Sequence, residues 1–567
     1  MGFKDVFYNY KPFNLNLHST DTNATDTIAE EILPKLDVPQ TDRNKKYLVV
    51  LILNVYQNYC MKKNMYTGFS KTRNNYQKKS RYNKNGVSNA IIEIMEGMLK
   101  KEYISERRFY HSRNAHQKSY TTRIRALQKL IDVINKHKLN INTVDVLPDT
   151  ECIIMKVNKG NRNVAIEYED NDEIIKQRQI LTAYNNLLKV THIDCVNVGK
   201  DGVKIGRSNY PILINQQNKF IRRIFNLDED NYALGGRYYG GFYQGMNKEW
   251  RKKIKINGLD CTEIDYSGMG IKILYSLNKI EIDEKDPYDL TGYYKHPTLN
   301  NEDLRPLLKH ILIIMLNCKS KPQAVGRITA DVNDEDKGFP TDINVKQLMD
   351  AFAERHKPIK KLFYKSMGKL QMRLDSDVCE LIIDYFTSNG IPVLTVHDSF
   401  VTDVAHAGEL EEKMIDFYNR VLGQSKIDIK VTHEDPRYSE HLIRLDRYMK
   451  VQPSNPVEEQ KQFEDAWWRS EDTINDKEGV IHLDEGIMLG DRRTFKDKDY
   501  QKRLKDWVKL KLWDKEDYYS GGYSFNASEL DLSKEEMEEV RKRNEEIIKR
   551  YGNRYRRKIT GIRRQKV

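Results

Sequence analysis

Apolar positions along this chain recur first at helical and then at strand spacing, and polar, chemistry-bearing residues gather where the spacing changes. Over residues 46–145 the spacing is three and four. Tyr47-Leu-Val-Val-Leu-Ile-Leu and Ala90-Ile-Ile-Glu-Ile-Met-Glu-Gly-Met-Leu read as helices. Ser119-Tyr-Thr-Thr-Arg-Ile-Arg-Ala-Leu-Gln-Lys-Leu reads as a further helix started by a Ser/Thr cap. Cys152-Ile-Ile-Met-Lys-Val and Asn163-Val-Ala-Ile-Glu-Tyr predict a short strand hairpin, with a helix following to about residue 190. Leu259 to Ile264 predicts a strand, and the β-rich runs on either side of His397-Asp398-Ser399 predict a second hairpin with a carboxylate at its tip. Residues 1–45 are polar with no sustained period and are expected as a flexible N-terminal arm. The expected organisation is that arm, a helical region 46–145, a connecting region 146–230, a core 231–445, and an extension 446–567. The extension contains a charged helix over Asp531–Arg550 and a basic tail, and the fold class is α+β.

Composition narrows the partners. With 567 residues and 39 % hydrophobic residues the chain is long enough for several domains and apolar enough to bury a sizeable core. The net charge of +12 favours a nucleic-acid partner without establishing one. Lys71 to Lys84, then Arg107, Arg108, His111, Arg113, Lys118, Arg123 and Arg125, form basic stretches laced with aromatic residues. They suit a winged-helix-like nucleic-acid-binding region, and equally a helical region with a solvated charged face. The tail, with Arg554-Tyr-Arg-Arg-Lys and Arg563-Arg, suits phosphate contacts or a solubilising end. Six cysteines, far apart and without a Cys-x-x-Cys pair, argue against a zinc ribbon and a disulfide framework and fit a reducing compartment. The apolar run Tyr47 to Val55 is too short to span a bilayer, and no signal or transit peptide is expected. The expected location is intracellular, in the cytoplasm of a bacterium or a virus-infected cell.

The chemistry concentrates in three places. In Cys261-Thr-Glu-Ile-Asp265-Tyr-Ser-Gly-Met-Gly270, Asp265 closes a strand and the glycines mark the turn into a helix. Asp398 sits at the tip of the second hairpin. Phosphoryl transfer from a nucleoside triphosphate needs developing charge neutralised and both the entering and leaving oxygens gripped. Two Mg²⁺ ions roughly 4 Å apart, held by carboxylates from separate strands, do this. Hard Mg²⁺ prefers oxygen ligands, so Asp265 and Asp398 are the catalytic and metal-binding candidates, with the Tyr266 carbonyl as an additional ligand and Mn²⁺ as a substitute ion. His397 is then a neighbour that shapes the hairpin. Between the two motifs, Arg305 and Lys309 stand four residues apart with an apolar run behind them, the spacing of a triphosphate grip on one helical face.

Taken in order, strand-Asp, helical Arg-x-x-x-Lys and His-Asp hairpin resemble motifs A, B and C of family A DNA polymerases and of the phage and mitochondrial single-subunit RNA polymerases. Over about residues 230–410 further matches favour the RNA polymerase branch. Gly235-Gly236-Arg237-Tyr238-Tyr239 is similar to its Arg-Gly-Arg-x-Tyr element, which implies that Arg237 and Tyr239 face template. Asp286-Pro-Tyr288 resembles its Asp-x-Tyr-Gly segment, and Leu374-Asp-Ser-Asp-Val resembles the Ser-x-Asp helix before motif C. His397-Asp398-Ser399-Phe400 has the RNA polymerase form of motif C. Gly270 stands five residues after Asp265, where DNA polymerases of the family carry a glutamate that blocks the ribose 2′-hydroxyl. Eight residues beyond Lys309, Asn317-Cys318 stands where the family has Tyr-Gly, a departure at the sugar site.

The resemblance implies a right-hand polymerase whose palm and fingers occupy 231–445, with a thumb-like segment in 146–230. Arg305, Lys309, Gly270, Tyr288 and Asn317 would bind nucleotide; Arg237, Tyr239 and His397 would meet nucleic acid. The expected partners are a nucleic-acid template, DNA first, nucleoside triphosphates and an accessory protein for initiation. No exonuclease signature precedes residue 230, so proofreading is not expected. The leading expectation is a DNA-directed RNA polymerase or primer-making polymerase. The runner-up is a DNA polymerase without proofreading, and the third reading a non-catalytic nucleic-acid-binding protein of the same fold.

Overall fold

Three hydrophobic cores, each built by a different stretch of chain, set the architecture. The computed structural model describes residues 10–108, 121–159, 162–195, 214, 219–227, 233–282, 286–423, 427–432, 480–483 and 486–489. His111, Arg113, Lys118 and the basic tail lie outside the described residues, as does the helix expected over 531–550.

The first core forms around the helix Asp42–Met61. Thr41 caps it by accepting from the Asn44 N–H, and Leu48, Leu51, Leu53 and Val55 are buried along it. It packs on the helices Thr22–Ile32 and Ile91–Lys100, and on a four-stranded sheet in the order Tyr10–Pro12, Tyr66–Phe69, Thr122–Ala126, Ile104–Arg107. Residues 10–45, expected as a flexible arm, are therefore folded. Asp21 caps the helix Thr22–Ile32, which buries Ile28, Ala29 and Ile32 against the same core. Its apolar positions are diluted by Thr, Asp and Glu on the outer face, which hid the period. Nor is the next hundred residues helical throughout. The strands Tyr66–Phe69, Ile104–Arg107 and Thr122–Ala126 run four to five residues, too short for alternation to stand out. The segment read as a helix from Ser119 is the strand Thr122–Ala126; a helix starts only at Gln128.

The second core is built on two sheets. One is antiparallel, in the order Leu394–Val396, Ser399–Asp403, Leu259–Ser267, Ile254–Ile256, Ile193–Cys195, with Asp428–Thr432 also paired to Leu259–Ser267. The other runs Ala233–Tyr239, Arg222–Leu227, Ile153–Lys159, Arg162–Ala165. The hairpin and the helix Asp172–Val190 expected after residue 150 are both present. The described part of 146–230 does not stand apart as a connector: Ile153, Leu181, Tyr184 and Phe225 share this core with Ile264, Ile382 and Phe400. The third core lies among the helices Met269–Leu277, Asn301–Asn317, Lys321–Val332 and Val345–Arg355. The helix Gly368–Ser388 runs beside both sheets' core and the helical lobe.

A buried arginine locks that long helix to the second sheet. Arg223 donates to the Gly236 carbonyl at 2.9 Å, and is ion-paired to Asp377 at 2.7 Å and to Glu380. Between the first and second cores, Arg81 pairs with Glu151, Glu167 and Asp170 and stacks on Tyr168 at 3.6 Å. The mixture of helix and sheet agrees with the expected α+β class. No helix among the described residues is long and apolar enough to cross a membrane, and all six cysteines are free thiols.

Candidate active site

Two adjacent strands of the antiparallel sheet bring the two aspartates together. Asp265 lies opposite Ser399 in the register, and the Tyr266 N–H donates to the Asp398 carbonyl at 3.4 Å. The strand carrying Asp265 continues to Ser267, so the carboxylate sits just before its end. Gly268, at φ 67°, then makes the turn into the helix Met269–Leu277, a left-handed conformation that side chains resist. On the other strand His397 and Asp398 are the two central residues of a hairpin turn closed by Val396 and Ser399. His397 takes φ 66°, uncommon for a residue with a side chain, and the tight turn projects Asp398 from the hairpin tip.

Beneath this pair lies a buried support that the sequence did not single out. Glu263, two residues before Asp265 on the same strand face, is gripped by Arg251 at 2.7 and 3.1 Å and accepts from Ser399 Oγ at 2.8 Å. Ser399 of the His-Asp-Ser motif thus ties the hairpin to its neighbour. Arg251→Met is expected to destabilise the fold by about 3–5 kcal/mol, because Glu263 would be left as an uncompensated buried charge. Urea unfolding of both proteins measures this; a loss under about 1 kcal/mol would mean that Glu263 is neutral or solvated.

Burial, then the charges of Asp398 and Glu263, push the Asp265 carboxyl up to about 7, against the opposing pull of Lys309 and Lys248. A carboxyl desolvated beside a second carboxylate is the kind of group that a divalent cation can hold in its charged form. Among the described residues no cluster of three or more His, Cys, Asp or Glu side chains could hold a metal. A two-carboxylate set suits Mg²⁺, which keeps several waters and takes phosphate oxygens, and does not suit a structural Zn²⁺ cage.

The helix Asn301–Asn317 supplies the cations. Asn300 and Asp303 form a capping box that starts the helix at Asn301, and Pro306 falls in its second turn. Arg305 and Lys309 both approach the ring of Tyr288, at 5.1 and 5.8 Å, and Tyr288 is buried against Phe352. Lys309 is exposed on this face; partial burial and then the neighbouring Arg305 charge lower its pKa, against the opposing pull of Asp265, Asp286 and Asp398. Arg305 is occupied by Asp286, with Nε donating at 2.7 Å. Asn317, at the helix's far end, packs against Gly368.

Two expected residues have neighbours that change their reading. Arg237 donates from Nε to Asp375 at 3.0 and 3.1 Å, so its guanidinium is already engaged. Asp375 is buried; burial, opposed by Arg237, leaves its carboxyl pushed up to about 6. Tyr239 is exposed and meets the His397 ring edge-on at 5.4 Å. Gly270 lies within the helix, after the turn, and a Cβ there would fall 2.3 Å from Gln371 Nε2. Its lack of a side chain therefore makes room for the Gln371 amide. Gly270→Ala is expected to set overpacking of about 1–3 kcal/mol against a helix-propensity gain of about 1 kcal/mol. In a Gln371→Ala background the same change is expected to be neutral or stabilising. Thermal unfolding of the four proteins checks this, and purely additive effects would show that Gln371 swings clear without cost.

No protein-family model matches the chain, and no curated protein does. Among solved structures it is similar to the POL domain of Pol1 from M. smegmatis in complex with DNA primer-template and dNTP. Identity is 12 %, over 37 % of this chain and 47 % of that one, at a TM-score of 0.21. The chain thus spans under half the length of that neighbour, and a likeness this slight decides nothing about the chemistry.

Proposed function

We propose that the protein is a template-directed nucleotidyltransferase of the polymerase type, making RNA or an RNA primer on a nucleic-acid template. One observation carries the reading: Asp265 and Asp398 converge from neighbouring strands while Lys309, from a separate helix, acts on the same two carboxylates. In the proposed reaction a strand's 3′-hydroxyl oxygen bonds to the α-phosphorus of a nucleotide, the α–β bridging bond breaks, the hydroxyl proton passes to solvent, and pyrophosphate leaves.

Asp265 and Asp398 would hold Mg²⁺, with the Tyr266 carbonyl beside them; bound Mg²⁺ supplies charge neutralisation for the transferring phosphoryl group. Lys309 holds the triphosphate as a point charge. Arg305 joins it by exchanging Asp286 for phosphate, an exposed pair worth at most about 1 kcal/mol and easily replaced by a more highly charged partner. Tyr288 supports both stems. Catalysis is then positional and electrostatic.

The runner-up, a DNA polymerase without proofreading, draws on Gln371, whose amide fills part of the space that Gly270 leaves open. Incorporation of matched NTPs and dNTPs on one template, primed and unprimed, separates the two. NTP preference is the expected result, and Gly270→Glu is expected to move it towards dNTP. Preference for dNTP in the native protein would replace the reading by the runner-up, and no incorporation of either would overturn both.

A further inference from the structure

A cavity of about 660 Å³ lies between the first and second cores and reaches the catalytic hairpin at His397. Its volume falls in the range of small-ligand sites. On one wall Arg222 and Tyr239 are cross-strand partners, so their side chains stand on the same face of the sheet. Tyr239 in turn meets His397, the neighbour of Asp398. From the other wall come Lys11, on the edge strand, and Asn54 and Gln57 of the helix Asp42–Met61.

Among the described residues neither Arg222 nor Lys11 makes an ion pair or a side-chain hydrogen bond; Arg222 rests on the Phe220 ring at 4.7 Å. Arg222 is half-buried and Lys11 exposed, and both line the cavity. Burial lowers the pKa of each, that of Arg222 to about 10, which leaves the Arg222 guanidinium charged at neutral pH. Glu151, a carboxylate of the lining, is already held by Arg81 and Arg178. The Arg222 guanidinium, partly drawn out of bulk water with no ion-paired carboxylate among the described residues, is costly to hold unless an anion arrives from outside, and Lys11, exposed on the other wall, adds a second cation to the same space.

We propose that Arg222 and Lys11 hold a backbone phosphate of the strand being extended, within a few linkages of its reacting 3′ end. The identity of that strand rests on the polymerase reading; the demand for an anion does not. Asp398, His397, Tyr239 and Arg222 then form a row from the reacting end to the phosphate, with the exposed Tyr239 ring offering a face to a base or sugar. The N-terminal unit becomes part of the strand-binding site, because Lys11 belongs to its sheet.

The test uses the full chain with Arg222→Gln, Lys11→Gln and both together, and a fluorescent primer–template followed by anisotropy across a salt series. Divalent metal and nucleotide are left out, so binding is read without catalysis. The double variant is expected to bind about ten-fold more weakly, with a slope of log affinity against log salt shallower by about 0.7–0.9 for each phosphate charge no longer neutralised. Its melting temperature without nucleic acid is expected to hold or rise, since an uncompensated charge is gone; a structural role would lower it.

Primers carrying one neutral methylphosphonate in each of the last linkages locate the phosphate that is held. One position should weaken binding to the native protein several-fold and add nothing in the double variant. An unchanged affinity and slope, or methylphosphonate effects that persist equally in the double variant, would overturn the site. So would a loss of binding confined to a free fluorescent NTP, titrated separately. A protein that binds strands through these cations yet incorporates no nucleotide refutes the proposed function and leaves the site standing. One that polymerises, with variants binding strands normally, refutes the site alone.

Discussion

Asp398→Asn is expected to reduce nucleotide incorporation to the limit of detection while leaving the fold and template binding nearly intact. The substitution keeps the shape of the side chain and removes its charge at the tip of a turn, where the carboxylate takes no part in the core. Stability should hold or increase, because Asp398 is one of the two charges that raise the Asp265 carboxyl. Asp265→Asn should abolish incorporation for the same reason.

The direction of the Asp265 shift adds a readout that needs no turnover. Its ordinary value is 3.8 and its value in the fold is about 7, so the folded state binds the proton more tightly than the unfolded chain does. This group's contribution to stability is therefore complete below about pH 4 and is lost as pH rises through 7. Mg²⁺ should raise the melting temperature clearly at pH 8, where Asp265 is charged, and little at pH 5.5. The increment should vanish in Asp265→Asn. Robust incorporation by either variant, or a Mg²⁺ effect that ignores pH and both substitutions, would remove the pair from the catalytic role.

Lys309→Ala is expected to lower kcat/KM for nucleotide by roughly ten- to hundred-fold, the range for losing a charge-assisted hydrogen bond of about 1.5–3 kcal/mol. Arg305→Ala should cost less. Lys309 is exposed and carries no ion pair among the described residues, whereas Arg305 must first release Asp286. Asp286→Ala is accordingly expected to leave kcat/KM unchanged or raise it. Steady-state kinetics on one primed template ranks the three. Equal losses for Lys309→Ala and Asp286→Ala would indicate that Asp286 and Tyr288 shape the pocket and that the cations do not grip phosphate.

Local motifs were legible because short-range physics dictates them. A β-rich run, a polar pair and another β-rich run have few outcomes besides a tight hairpin, and that hairpin carries Asp398 at its tip. Glycine after a strand marks the change to helix, and the structure places the left-handed turn at Gly268. Arg305 and Lys309 share a helix face because four residues make about one turn. The helix Thr22–Ile32 escaped notice because its inward stripe is short and its stability comes from a core assembled by distant residues.

What the tertiary structure decided are the pairings between segments far apart in the chain. Arg237 meets Asp375 at a separation of 138 residues, and Ser399 meets Glu263 at 136. Such partners depend on which strand lies beside which, and on how much water each charge loses when the sheets and helices close over it. The same closure set Gln371 against Gly270, and left Arg222 and Lys11 facing one cavity. By itself the sequence determined the strands, the turn and the helix face that present the charged residues. Only packing determined which of those charges are already neutralised within the protein and which remain for a ligand to meet, because desolvation and long-range pairing exist only once the chain has folded.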